Sequence, residues 1–225
     1  MDRLTIIAAA ALAGAYAISR AANARAVPGD DTDPADGATA LDYANPWGAA
    51  ERQVESYFTS EAMSDENVSA FLSMIASAEG TDRAPDPYRV CYSYRHTIAD
   101  LSDHPAITGE WKGEKLPDAM CAGAGLGPGC VSTAAGRYQI IRRTWLSCKR
   151  ALGLRDFSPA SQSAAAVYLI KSRGALDHVR NGRIPEAVQA CRLEWASLPG
   201  AGYGQPERKL AALVNVYQDA GGQLA

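Results

Sequence analysis

Residues 68–82, VSAFLSMIASAEGTD, constrain this chain more than any other stretch. Val68, Phe71, Leu72 and Ile75 recur at i, i+3, i+4 and i+7, the spacing of one buried helical face. Glu79 falls four residues past Ile75, so its side chain lies on the same stripe. Gly80 then supplies a helix stop, and Ser64-Asp65-Glu66 reads as an N-cap with an acidic first turn. A carboxyl at that C-terminus is partly desolvated and near the negative end of the helix dipole. Both effects raise its pKa. Such a glutamic acid stays protonated near neutral pH, as general-acid chemistry requires. A partly buried Glu held in a salt bridge would show the same spacing, so Glu79 needs support from elsewhere.

Upstream, residues 4–19 (LTIIAAAALAGAYAIS) carry no charge and lie between Arg3 and Arg20. The run falls just short of the ~17–25 residues that span a bilayer and is rich in Ala, so its membrane affinity is modest. Ala22-Asn23-Ala24 is an A-x-A cleavage pattern. Residues 1–24 therefore read as a cleaved signal peptide or an uncleaved, weakly held signal-anchor, and either one exports the rest. Residues 25–67 hold two basic against ten acidic residues. Rich in Asp, Pro, Gly and Ala, they read as an acidic flexible linker with a possible short helix over 46–62.

Residues 68–225 read as one mainly helical domain with a small β element. Pro85 and Pro87 break the helix, and YRVCYSY (88–94) predicts a small sheet or extended flap. Residues 108–131 form a long Gly-, Lys- and Pro-rich loop. Residues 132–141 open a helical region that runs through Trp145 to Leu152 and stops at Gly153. Ser158-Pro159 starts a helix that ends before Gly174, and Pro185 starts one carrying Val188, Cys191, Leu193 and Trp195. A last helix covers 207–218. Trp145 and Trp195, at helical spacing, are read as core.

The region from residue 68 onward has eighteen basic and fourteen acidic residues. That balance suits an anionic polymer but is too weak for nucleic acid. Five cysteines show no metal-ligand spacing, so neither a metal nor a cofactor is expected. Export would favour disulfides, with at least one thiol left over. Cys121 and Cys130, flanking a Gly-rich loop, are the first candidate pair.

FLSMIASAEGTD, SDHP, AGRYQI, DFSP-x-SQ, KSRGAL and WASLPGAGYGQ occur in that order. The series resembles the lambda-type endolysins, from about residue 68 to the end. The resemblance implies an α+β, lysozyme-like fold: a helical lobe, a small β lobe and a glycan groove. It also implies cleavage of the β-1,4 bond between N-acetylmuramic acid and N-acetylglucosamine of peptidoglycan, by a lytic transglycosylase that leaves 1,6-anhydromuramic ends. Glu79 matches the family's single catalytic acid. Arg137, Tyr138, Gln139, Tyr203 and Gln205 match its groove motifs, and their amides, phenols and ring faces suit sugars.

Ordinary glycosidases flank the bond with two carboxylates. A transglycosylase needs one, because the muramic acid's own 6-hydroxyl attacks the anomeric carbon. Asp82, Asp86, Asp100 and Asp103 are the candidates for a second, and none stands out. A hydrolysing muramidase on the same fold, and a wall-binding or virion module without turnover, remain open. Residues 1–67 have no counterpart in the family pattern, and the 108–131 loop is longer than the family's. The expected setting is the periplasm, the expected partner the glycan strands of peptidoglycan, and the expected state a monomer. A signal-anchor would tether the inactive chain to the inner membrane until release for host lysis; a role at infection would use the same substrate.

Overall fold

A computed structural model of the protein describes residues 65–203 and 206–225, together with residues 52, 59, 61 and 62. The expected signal segment and nearly all of the linker lie outside the described residues, as does Gln205.

Helix α1, Glu66–Ala78, is the central element. Asp65 caps it by accepting from the backbone N–H groups of Asn67 and Val68 at 2.9 and 3.2 Å, which satisfies two of the donors that a helix start leaves open. Its far end closes as the sequence predicts. Glu79 is the C-cap, and Gly80 turns the chain with φ of 74°. Val68, Phe71, Met74 and Ile75 are fully buried. At about 1.5–3 kcal/mol for each large apolar side chain, this face anchors the domain. It packs against α5 (Pro159–Ser172), α6 (Leu176–Arg180) and α8 (Leu210–Asp219).

Two stretches differ from expectation. Residues 88–94 form no strand: the chain makes 3-10 turns at Pro87–Arg89 and Tyr92–Tyr94, with single bridges from Val90 to Thr97 and from Cys91 to Ala135. Asp86 caps the first turn on the Tyr88 N–H, and Ser93 and Tyr94 have φ of 54° and 59°, which ends any extension. Residues 132–141 are not helical either. Gly136 has φ of 75°, and a Cβ there would meet Gln162 Oε1 at 2.1 Å. The AGRYQI stretch is instead a tight loop in which Ala135 and Ile140 exchange backbone hydrogen bonds, and α4 begins only at Arg142 (Arg142–Leu152).

Helix α2 (Pro105–Thr108) leads into the long loop, where β1 (Glu114–Lys115) pairs antiparallel with β2 (Val131–Ser132), Glu114 opposite Ser132. Between the strands lies α3, Asp118–Gly123, clipped by a Cys121–Cys130 disulfide, the pair expected from the loop's composition. Cys91, Cys148 and Cys191 are free and buried. The SDHP motif is a structural corner. Asp103 accepts from Trp145 Nε1 at 2.7 Å and Lys149 Nζ at 2.5 Å, and buried His104 bridges the Ala106 N–H and the Ile140 carbonyl. Both tryptophans read as core are buried; Trp145 meets Phe157 edge-on at 4.8 Å. Helix α7, Ile184–Cys191, ends before Leu193 and Trp195, which continue in a turn.

Candidate active site

Glu79 opens onto a groove of about 790 Å³, counted with the space open to solvent. The groove runs between the disulfide loop (Leu116, Ala124), the AGRYQI loop (Gln139, Ile140) and the turn after α7 (Glu194, Trp195). Its walls mix apolar side chains with polar groups that include Glu79, Gln139 and Glu194, a make-up suited to a polar ligand.

The electrostatics of Glu79 follow from its position. Burial pushes its carboxyl from the ordinary value up to about 7, against the opposing pull of Ser197 and Arg208. Ser197 Oγ donates to Glu79 Oε1 at 2.6 Å. Arg208 clamps the two ends of this contact: its side chain donates to the Ala78 carbonyl and its backbone N–H to the Ser197 carbonyl. Glu207 closes the SLPGAGYGQ loop by accepting from Gly200 and Gly202 N–H, each at 2.8 Å. Tyr92 also lines the groove, its phenol pKa raised by burial first and then by the carboxylates of Glu114 and Glu79. The neighbouring Tyr94 hydroxyl donates to the Gly80 carbonyl.

The other residues singled out by sequence are placed differently from one another. Gln139 lines the groove in a left-handed conformation, φ 48°, its amide N donating to the carbonyls of Val90 and Gly136. Tyr138 lies in the core, 1% exposed, with its hydroxyl 3.1 Å from Ser163 Oγ. Arg137 lies over the rings of Tyr88 and Tyr138 and donates to Tyr88 Oη and Ser73 Oγ. It braces the loop against α1. Tyr203 donates to the Leu193 carbonyl at 3.1 Å.

Of the acidic candidates for a second carboxylate, Asp82, Asp86 and Asp100 are exposed and Asp103 is committed to Trp145 and Lys149. None lines the groove, whereas Glu194 does.

The family model for Endolysin matches residues 69–224. The chain belongs to the endolysin family. It is 43% identical to the endolysin of Escherichia phage P2 over 157 residues, 70% of this chain and 94% of that one. To the endolysin of Escherichia phage lambda it is 42% identical over 158 residues, 68% and 90% of the two chains. The fold is that of bacteriophage lambda lysozyme. The solved structure of that enzyme complexed with a chitohexasaccharide superposes with a TM-score of 0.59 at 39% identity, covering 71% of this chain and 97% of the other.

Ser197, Tyr92, Arg208 and Glu194 escaped the sequence reading as site residues. Ser197 stands inside WASLPGAGYGQ, so the motif held the signal. Tyr92, Arg208 and Glu194 are marked by nothing local.

Proposed function

We propose that this endolysin cleaves the β-1,4 bond between N-acetylmuramic acid and N-acetylglucosamine as a lytic transglycosylase, in lysis of a bacterial host. The observation that carries this is Glu79: a single carboxyl poised to titrate at about 7 in a groove where every acidic candidate from the sequence points elsewhere. Protonated Glu79 donates its proton to the glycosidic oxygen as the bond to the anomeric carbon breaks. The muramic acid's 6-hydroxyl oxygen bonds to that carbon, and Glu79 takes the hydroxyl proton, regenerating the acid. No water is added. Gln139, from the groove wall, and Tyr203 and Gln205, from the GYGQ segment, are the proposed sugar contacts, with Arg137 and Tyr138 bracing Gln139 from behind. Peptidoglycan glycan strands are the substrate, and the chain acts as a monomer.

A hydrolysing muramidase has one observation in its favour, the presence of Glu194 in the groove. Its engagement by Arg173 at 2.6 Å makes it a poor nucleophile. Mass analysis of muropeptides from purified peptidoglycan separates the two: anhydro ends, lighter by one water, support the transglycosylase, and reducing ends the muramidase.

We also propose that residues 1–24 export the chain to the periplasm as a signal-anchor, tethering it to the inner membrane before release, with 25–67 as linker and 68–225 as the catalytic domain. The uncharged run between Arg3 and Arg20 supports this. Among the described residues no helix is long and apolar enough to cross a membrane. A membrane fraction holding chain that retains Met1 is the expected result. A mature protein beginning at Arg25 soon after export would contradict it.

A further inference from the structure

Glu194 is the one acidic groove residue besides Glu79 among the described residues, and its setting is unusual. The side chain is 5% exposed and that of its partner Arg173 13%. Arg173 Nε donates to Oε2 at 2.8 Å, and its Nη2 lies 2.6 Å from the same oxygen. Both contacts fall on Oε2, and no hydrogen bond engages Oε1 among the described residues. Burying such a pair carries a desolvation cost that two apolar side chains would avoid. Ile141, Leu169 and Leu193 add apolar lining to the same groove.

The position along the chain matters as much. Glu194 ends one turn, its N–H donating to the Cys191 carbonyl, and the next turn, Trp195–Leu198, carries Trp195, whose Nε1 donates to the Tyr138 carbonyl, and Ser197 on Glu79. Three peptide steps span at most about 10 Å, so the backbone that holds Ser197 on Glu79 lies close to the one that carries Glu194, and both carboxylates line the same groove. Sugars of the glycan class present hydroxyl and acetamido N–H donors, which a carboxylate oxygen accepts with charge assistance.

We infer that Glu194 is a glycan-positioning residue, accepting a hydrogen bond from a sugar hydroxyl or acetamido N–H at Oε1 while Arg173 holds Oε2. This rests on the glycan-cleaving reading of the groove and extends it. Glu194 takes no proton in the reaction; it fixes the sugar relative to Glu79.

The isosteric Glu194→Gln variant of the full chain isolates the claim. Its amide oxygen stays with Arg173, which leaves the NH2 facing the groove, a donor where the sugar also brings a donor. Chitohexaose binding should weaken about tenfold, with KM on peptidoglycan rising in step and kcat kept within about a factor of two. Product class should not change, while the melting temperature should fall, because glutamine leaves the largely buried Arg173 without its counter-charge. Unchanged binding and KM with a lowered melting temperature would make the pair purely structural and overturn the proposal. A collapse of kcat to the level of Glu79→Gln would make Glu194 a nucleophile or base, and overturn it too. The double replacement Arg173→Met with Glu194→Leu, which refills the site without charge, should also lose affinity; full affinity there would contradict the proposal independently. If the parent binds chitohexaose in a Glu194-dependent way yet cleaves no peptidoglycan, the cleavage reading alone fails.

Discussion

Ser197 Oγ lies 2.6 Å from Glu79 Oε1, joining the end of the first described helix to a turn 118 residues later in the chain. The contact favours the charged carboxylate, while burial favours the neutral acid and wins, leaving the group near 7. The alkaline limb of activity should therefore fall near pH 7. In Ser197→Ala the largest of the opposing pulls is gone while that of Arg208 stays, so the pKa rises further and that limb moves to higher pH. Rate–pH profiles of the two proteins check this, and an unmoved limb would dissociate Ser197 from the acid.

The same shift predicts a stability effect. Folded Glu79 titrates at about 7 against 4.5 for an ordinary carboxyl. Between those values the folded state holds a proton that the unfolded state has lost, so stability falls as pH rises through this window. Glu79→Gln carries no such penalty. It should be more stable than the parent above pH 7, by at most about 3 kcal/mol, with the difference vanishing toward pH 4. Urea titrations at both ends of the range measure it.

Gly136→Ala should destabilise by about 2–4 kcal/mol. The new Cβ would lie 2.1 Å from Gln162 Oε1 and 3.1 Å from Phe157. Gln162 has little room to retreat, because its amide already bonds the Tyr88 and Phe157 carbonyls and the Arg137 N–H. Denaturant unfolding tests this; a neutral outcome would mean that the AGRYQI loop is not held as described.

Much of this fold could be read from local chemistry. Asp65 and Gly80 at the ends of α1, and Ser158 with Pro159 at the start of α5, act within a few residues of themselves. Glu79 was legible for the same reason, since its burial follows from the stripe it shares with Ile75. The failures are non-local. YRVCYSY has strand composition, but Asp86 and the left-handed Ser93 and Tyr94 turn it back on itself. AGRYQI looks like a helix start until Gln162, from another helix, fills the space beside Gly136. Tyr138 carries a polar handle, yet Ser163 satisfies it inside the core. Glu194 lines the groove with its carboxylate held by Arg173, twenty-one positions away.

The Cys121–Cys130 bond closes the loop that gives the groove Leu116 and Ala124. Cys121→Ser together with Cys130→Ser should lower stability by about 2–3 kcal/mol, from the loop-closure entropy of so short a ring. KM should rise more than kcat falls, because the bond holds a wall and touches no reacting atom. Equal KM in the parent and the double variant would free the wall from dependence on the bond.

The most direct test of the account is turnover of purified peptidoglycan by the parent and by Glu79→Gln, each confirmed to be folded and to bind chitohexaose. A single general acid–base predicts a loss of about 10²–10⁴ in kcat with binding retained. A variant that keeps kcat within about tenfold of the parent would place the chemistry on another residue and contradict the central claim.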